Sequence, residues 1–410
     1  MCLFFAFFAF RYVRTIVGLF VYLLAKPKPI QNPPKYSGKN VTVVIPTTFK
    51  SPSELVECLH SVTACSPSAI IIVTSNANVE LLSSHCLENA FDVIVLGVEK
   101  LNKRAQILKA MPLVKTPITV LADDDVFWPE RFLDYLLAVF EDPKVGAGGS
   151  LQRVKRQANP SGWNFLGIGY LERRGFNNLA TNGVDGSIST LSGRTAAYRT
   201  EILQTDEFSE YFMNDSWRGK KIHIGDDKCL TRYVYSQGWK IVIQSEPRAT
   251  IETTVESNRK YLHQCLRWSR GHWQGNFSVM STESYWYSPR YLWGFYYIYV
   301  GQFQSPAILI DVLLLMFLSL ALEGASSGTA ILAYAVLVAW IFFTKIMKLI
   351  PHFWKYPSDM KFIPLSILFS YIHGAINFYA LWTLDSTQWG GQNLSELQKE
   401  RQTAEFELLN

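Results

Sequence analysis

Charged residues are scarce in this sequence: Asp, Glu, Lys and Arg fill 18% of its 410 positions, against about a quarter in soluble globular chains. The shortfall argues against a wholly soluble protein and against a solvated, disordered one. Cysteine is sparse as well. The six thiols, Cys2, Cys58, Cys65, Cys86, Cys229 and Cys265, form no CxxC pair and no disulfide-scaffold density, so reduced thiols in a cytosolic domain are expected. Dense Lys/Arg runs are missing too, and a net charge of only +5 gives no footing for nucleic acid as a partner. That mild basic balance suits a protein handling phosphates beside an anionic inner leaflet. Internal repeats and low-complexity tracts are absent.

What the sequence does hold is apolar residues, 49% of the total, gathered in a few blocks. Residues 3–24 are apolar except for Arg11 and Arg14. Two mid-helix arginines cost roughly 5–7 kcal/mol and the Leu, Ile, Phe and Val residues return about 4–8, so the span is marginal. The arginines lie three apart, on one helix face, where they snorkel or meet other helices. No small-x-small cleavage site precedes Lys26, which favours an uncleaved anchor over residues 1–25. The linker 26–40 begins with KPKPIQNPPK, an extended and positively charged stretch of the kind kept on the cytosolic side.

Strand-like and helical patterns alternate over residues 41–255. VTVVI (41–45), AIIIVT (69–74), FDVIVL (91–96) and PITVLA (117–122) are short β runs, with helical spacing between them, as in SPSELVECLHSV (51–62). Such alternation implies a doubly wound, mostly parallel α/β sheet whose ligands sit beyond the carboxyl ends of the strands. Residues 256–304 read as interfacial helices. Within 305–384, the stretches 306–322 and 328–344 are long enough to cross a bilayer, a weaker block covers 362–384, and the basic loop 345–361 should be cytosolic. Residues 385–410 form a tail.

Three motifs carry chemistry. LADDDVFWP (121–129) sets Asp123, Asp124 and Asp125 at the end of an apolar strand, where extended geometry puts Asp123 and Asp125 on one side. A divalent cation, Mg²⁺ or Mn²⁺, held by such carboxylates and two phosphate oxygens neutralises a diphosphate leaving group; the alternative is a solvated acidic turn. In HIGDDKCLTRY (223–233), Asp226 and Asp227 precede a helical stretch, and taken alone they read equally well as caps. In YLHQCLRWSRGHW (261–273), Gln264, Arg267 and Trp268 share one helix face. Arg clamps phosphates and Trp stacks on a sugar's apolar face, although helices lying on a membrane carry the same residue types.

Together the three are far more specific. DxD, a second aspartate about a hundred residues on, and QxxRW about forty further resemble the processive family-2 glycosyltransferases, which include hyaluronan, cellulose and chitin synthases. The resemblance covers roughly residues 40–275 plus the membrane-bound C-terminal part. It implies a GT-A-type domain flanked by N- and C-terminal transmembrane or interfacial helices. The reaction would be an inverting transfer from a UDP-sugar donor to a polysaccharide acceptor, at the plasma membrane with the catalytic domain cytosolic. Pro46 and Thr47, in VVIPTTFK (43–50), then lie on the first nucleotide-binding strand and loop. Lys103 and Arg104, in a segment similar to the family's GKR, lie near the diphosphate. Ser192 and Gly193, in STLSGRTAAYR (189–199), lie under the acceptor sugar, and that segment is close to fungal hyaluronan-synthase-like proteins.

The resemblance also implies roles. Asp227 is the general base, with Asp226 beside it. Asp125 with Asp123 holds the metal, Arg267 and Lys103 meet the diphosphate, and Gln264 and Trp268 meet the acceptor. Trp389 and Gly390 resemble the family's Trp-Gly gating loop.

Two departures stand out. Val73-Thr74-Ser75-Asn76 replaces the family's Asp pair after the second strand, so nucleotide recognition there must use neutral hydrogen bonds. Gly391-Gln392 replaces Thr-Arg after the gating motif, which removes a charge that would grip the diphosphate. If 306–322, 328–344 and 362–384 all span, Trp389 falls outside, so 362–384 is expected to be interfacial. With few spans per chain, a polymer channel would need more than one copy, a homo-oligomer. A non-processive enzyme acting on a lipid carrier normally lacks QxxRW, and an inactive scaffold would have lost Asp125, Asp227 or Arg267.

Overall fold

The computed structural model describes residues 1–222, 225–283 and 288–385. Strands β1 (Val41–Pro46), β2 (Ala69–Ser75), β3 (Ile94–Val98) and β4 (Ile118–Ala122) alternate with helices Pro52–Ala64, Val79–Glu88 and Lys103–Ala110. A short β5 (Val126–Phe127) follows, then β6 (Val145–Ser150), β7 (Gln152–Val154) and β8 (Thr195–Arg199). The hairpin β9 (Ser216–Trp217) and β10 (Lys220–Lys221) precedes β11 (Lys240–Gln244) and β12 (Ile251–Thr253).

Seven strands make one sheet in the order β11-β6-β8-β4-β1-β2-β3. Every pairing is parallel except those of β8, which runs antiparallel between β4 and β6. A second small sheet joins β5, β12 and β7.

Side-chain alternation splits the apolar residues between the two faces of the large sheet. Val41, Val43 and Ile45 of β1, Ile70 and Ile72 of β2, and Ile118 and Val120 of β4 pack with Leu55, Leu59, Phe132 and Phe140. Val44, Ile71, Val73 and Leu121 turn to the opposite core, with Ile107, Tyr198, Phe208 and Phe212. Both faces are covered, which is why these strands read as continuous apolar runs. Each fully buried Val, Ile or Phe contributes about 1.5–3 kcal/mol. Strand β3 begins at Ile94 rather than at 91. The Phe91 N–H bonds the Cys86 carbonyl at 2.9 Å and finishes the preceding helix instead.

The N-terminal block is one helix, Cys2–Leu24, with Phe5, Phe20, Leu23 and Leu24 exposed and Tyr12 and Gly18 buried. Arg11 donates to the Gln304 carbonyl at 3.1 Å and Arg14 to the Tyr297 carbonyl at 3.5 Å. Both arginines therefore face protein, an arrangement that would spare them the cost of meeting lipid if the helix lies in a bilayer. Tyr22 stacks on Phe176 at 5.1 Å, joining this helix to the long helix Gly162–Asp185.

Helices Cys2–Leu24, Ser327–Lys355 and Pro357–Trp382 are long and apolar enough to cross a membrane, while Pro289–Gln304 and Ala307–Ala321 form a pair bent by 90°. The stretch expected to span over 306–322 folds as the 15-residue helix Ala307–Ala321. At a rise of about 1.5 Å per residue it falls short of the roughly 30 Å hydrocarbon core. Its one acid, Asp311, pairs with Lys345 at 2.8 Å and accepts from Tyr371 at 3.1 Å.

The last stretch is one helix, Ile363–Trp382. It runs along helix Lys260–Thr282, with Tyr261 beside Phe369 and the Trp273 indole donating to the Asn377 carbonyl at 3.1 Å. Arg156, in the loop after β7, grips fully buried Asp359 through bonds of 2.9 and 2.8 Å, and His352 bonds the same carboxylate at 2.9 Å. This knot ties the α/β domain to the C-terminal helices. Trp389 and Gly390 lie outside the described residues.

Candidate active site

Asp123, Asp124 and Asp125 carry the chain from β4 toward β5. The Asp123 N–H bonds the Arg194 carbonyl at 2.9 Å, tying the acidic run to the loop before β8. Asp123 and Asp125 line a cavity of about 620 Å³. Asp124 turns the other way and accepts a hydrogen bond from the Thr47 hydroxyl. Pro46 closes β1 and Thr47 follows it, 2% exposed, with its carbonyl bonded to Gln106 Nε2 at 3.0 Å.

Lys103 opens helix Lys103–Ala110, capped by Asn102. Its ammonium lies 2.6 Å from Asp123 Oδ1 and 3.3 Å from Asp226 Oδ2, bridging the first two acidic motifs. Burial opposes the charge, but Asp123, Asp226 and Asp227 outweigh it and hold the lysine above its ordinary range. Arg104 has a different place from the one expected. It is 2% exposed, ion-paired with Asp215 at 2.9 Å and set over the Phe212 ring, away from the cavity. Successive helical residues point about 100° apart, so Lys103 and Arg104 cannot share a face. Arg104 holds the scaffold.

Gly225, at φ +71°, turns the chain into helix Asp226–Ser236 and sets both aspartates at its positive end. Burial raises the affinity of Asp226 for a proton, but Lys103 and Arg104 prevail and hold it below the usual carboxylate range. Asp227 goes the other way, raised by burial and then by the neighbouring Asp226 charge. Paired carboxylates pushed apart in this manner suit different roles. Asp227 Oδ2 accepts from the Gly193 N–H at 3.4 Å and lies 4.0 Å from Arg174. A Cβ on Gly193 would stand 3.1 Å from Lys103 Nζ and 3.3 Å from Asp227 Cβ, so glycine lets this loop close on the pair. Ser192, 6% exposed, lines the cavity next to it.

Helix Lys260–Thr282 brings Gln264, Arg267 and Trp268 to the same cavity. Burial lowers Arg267 even against the pull of Asp226, Asp123 and Asp227. Trp268 stacks on Tyr170 at 4.8 Å, with Arg194 5.3 Å above its ring. Gln264 Oε1 is buried with no hydrogen-bond partner among the described residues.

The chemistry of the acidic groups fits a divalent cation. Burial, then Asp123, pushes Asp125 up to about 7, a strain that a bound cation would relieve. Among the described residues, no three His, Cys, Asp or Glu side chains converge as a closed cage. An open pair of carboxylates is what Mg²⁺ or Mn²⁺ uses when substrate phosphates complete its shell.

Sequence reasoning missed one wall of the cavity. Tyr170, Arg174 and Asn177 come from helix Gly162–Asp185, and Phe369 and His373 from helix Ile363–Trp382. The available signal was Arg173-Arg174 followed four residues later by Asn177-Asn178, a polar stripe on a mostly apolar helix. His272 also lines the cavity, held neutral by burial that lowers it to about 3.

Comparison with known proteins places this geometry in context. The family described as "Glycosyltransferase like family 2" matches residues 38–271. A type 2 glycosyltransferase of Zymoseptoria tritici is 41% identical over 400 residues, covering 96% of this chain and 84% of its relative. One from Gibberella zeae is 40% identical over 402 residues, covering 96% and 76%. A hyaluronan synthase of Streptococcus pyogenes is 26% identical over 376 residues, covering 88% and 84%. Among solved structures, a mannosyltransferase of Pyrobaculum calidifontis in complex with GDP-Man and Mn²⁺ shares the fold. Its TM-score is 0.57 at 16% identity, over 93% of this chain and 99% of that one.

Proposed function

This chain belongs to the glycosyltransferase-like family 2, and from that premise we propose that it transfers sugar from a UDP-sugar, with inversion, to the end of a growing polysaccharide. The observation that carries the reading is Lys103, whose ammonium joins Asp123 and Asp226 at 2.6 and 3.3 Å. That bridge sets a donor-side DxD against an acceptor-side carboxylate pair in one cavity.

Asp227 serves as the general base. As the acceptor oxygen attacks the anomeric carbon, its proton passes to the Asp227 carboxylate, the new glycosidic bond forms, and the bond to the diphosphate breaks. Lys103 and Arg267 stabilise the charge that develops on the departing diphosphate. Asp125 and Asp123 would hold a divalent cation, which would supply further neutralisation of that leaving group. The stacked pair Trp268 and Tyr170 offers the acceptor's terminal sugar an apolar platform, with Gln264, Ser192 and Gly193 beside it. Thr74 and Ser75, whose buried hydroxyls have no partner among the described residues, supply neutral hydrogen bonds to the nucleotide in place of the missing Asp pair.

We place the chain in a membrane, with the α/β domain on the cytosolic side and the polymer at the cell surface. Three helices apolar enough to span support a bilayer setting. The Pyrobaculum relative's GDP-Man and Mn²⁺ support a nucleotide-sugar with a divalent ion. Incubating membranes with labelled UDP-sugars, one at a time, tests the proposal. It expects chelator-sensitive product of increasing length from one donor. A single-sugar product on a lipid, or no product with any UDP-sugar, would overturn it.

A further inference from the structure

Beside His272, next to the catalytic cavity, lies a second pocket of about 200 Å³. Asn177, Asn178, Ser189 and His272 line both spaces. The inner pocket adds Arg14, Tyr297, Gln302 and Lys348, and its lining contains two cations and no carboxylate. Arg14 donates to the Tyr297 carbonyl at 3.5 Å, and Lys348 to Asn177 Oδ1 at 2.6 Å. Neither cation has an acidic partner within ion-pair distance among the described residues.

A third donor is fixed there by a relay. The Lys228 ammonium can only donate, so the Asn276 oxygen accepts from it and the Asn276 amide nitrogen points onward. That nitrogen donates to Gln302 Oε1 at 2.8 Å. The Gln302 side chain is thereby oriented with its Nε2 free of any partner among the described residues, although Gln302 is only 6% exposed. Asn276 Nδ2 also meets His272 Nε2 at 3.0 Å, leaving Nδ1–H of that ring for Ser189 Oγ at 3.4 Å.

A guanidinium, an ammonium and an orphaned amide donor thus converge on a pocket with no negative group. Partly shielded cations without an anion carry a desolvation cost, and so does a buried donor left unpaired. All three costs fall away when an oxyanion occupies the pocket. Its volume suits one phosphate with a few attached atoms and lies below the roughly 300 Å³ at which small-molecule sites begin. Arg14 comes from helix Cys2–Leu24 and Lys348 from Ser327–Lys355, two of the three stretches able to span a bilayer. From these residues we infer that the pocket binds the phosphate of an anionic membrane lipid, next to the acceptor end of the catalytic cavity. The inference requires the helices to lie in a bilayer and is independent of which sugar is moved.

The test uses the full chain reconstituted in phosphatidylcholine discs containing a minority of phosphatidylglycerol, followed by native mass spectrometry of the lipid retained. Wild type should keep phosphatidylglycerol through delipidation. Lys348→Met, Arg14→Gln and Gln302→Leu should each lower retention about tenfold, near the 1.4 kcal/mol of one lost charge-assisted bond. Lys348→Arg should restore it. Equal retention by all variants would overturn the inference. So would displacement of the lipid by millimolar inorganic phosphate, or retention of an acidic oligosaccharide in its place. If a variant fails to fold, wild type binding phosphatidylcholine as tightly as phosphatidylglycerol still refutes it.

Discussion

Replacing Asp227 by asparagine isolates the proton transfer. The amide matches the carboxylate in size, and its oxygen still accepts the Gly193 N–H now at 3.4 Å, so the loop before β8 keeps its anchor. What vanishes is a base whose proton affinity is raised by burial and by Asp226. Turnover should fall by roughly 10²–10⁴, equivalent to about 2.7–5.4 kcal/mol of barrier. Donor affinity should stay within about threefold, because Lys103, Asp123 and Arg267 are untouched and Asp226 loses a like-charged neighbour. The pH profile separates this from a structural defect. Asp227 works deprotonated and its folded-state pKa is raised, so wild-type kcat/KM falls as pH drops through a value above the ordinary carboxylate range. The asparagine variant should lack that limb. Asp226→Asn is the comparator, since it removes a carboxylate that competes with the donor's phosphates for Lys103 and that raises Asp227, so donor binding should not weaken while the acid limb moves to lower pH. Single-turnover measurements with labelled UDP-sugar, alongside calorimetric binding, read both terms. An Asp227→Asn enzyme within threefold of wild type, or one with its acid limb unchanged, would refute the base assignment.

Asp125→Ala should abolish metal-dependent UDP-sugar binding, measured by titration with and without chelator; chelator-insensitive activity in that variant would exclude the metal role. Gly193→Ala should lower kcat/KM at least tenfold with little change in melting temperature, because the added methyl meets Lys103 Nζ at 3.1 Å and Asp227 at 3.3 Å; an unaffected enzyme would remove the loop from the site. A cytosolic catalytic domain requires Asn214, an exposed sequon, to carry no glycan, and a glycan there would invert the topology; Asn276 is 0% exposed and cannot report sidedness in the folded state. Trp389→Ala should cut synthesis strongly at normal expression if the tail closes over the donor, whereas near-normal activity would mark it as an interfacial anchor.

The parallel half of the fold was legible because β1, β2 and β4 are buried on both faces, and such burial writes a short, mostly apolar run rich in β-branched residues. The reversal at β8 was not legible. TAAYR carries no mark of direction, and its antiparallel course is set by pairing with β4 and β6 on either side. The alternation that separates Asp124 from its neighbours follows from extended geometry and needs no tertiary information. Arg104 could not be read, because its partner Asp215 lies 111 positions away and only folding shows which of two adjacent cations turns inward. Residues 306–322 looked like a simple span because hydropathy does not show that the helix there is only the 15 residues Ala307–Ala321, set at 90° to the helix before it. The cavity wall from helix Gly162–Asp185 was hidden for the opposite reason: its apolar majority resembles core, and the polar stripe gains meaning only once a cavity lies against it.

Strand β8 also governs how safely this chain can be made. Until Thr195 emerges, β4 has β1 on one side and an open row of amides and carbonyls on the other, roughly seventy residues before its second neighbour exists. An apolar ITVLA edge left in that state is a template for pairing with another chain. The same insertion seals β6, so a single five-residue strand closes two edges at once.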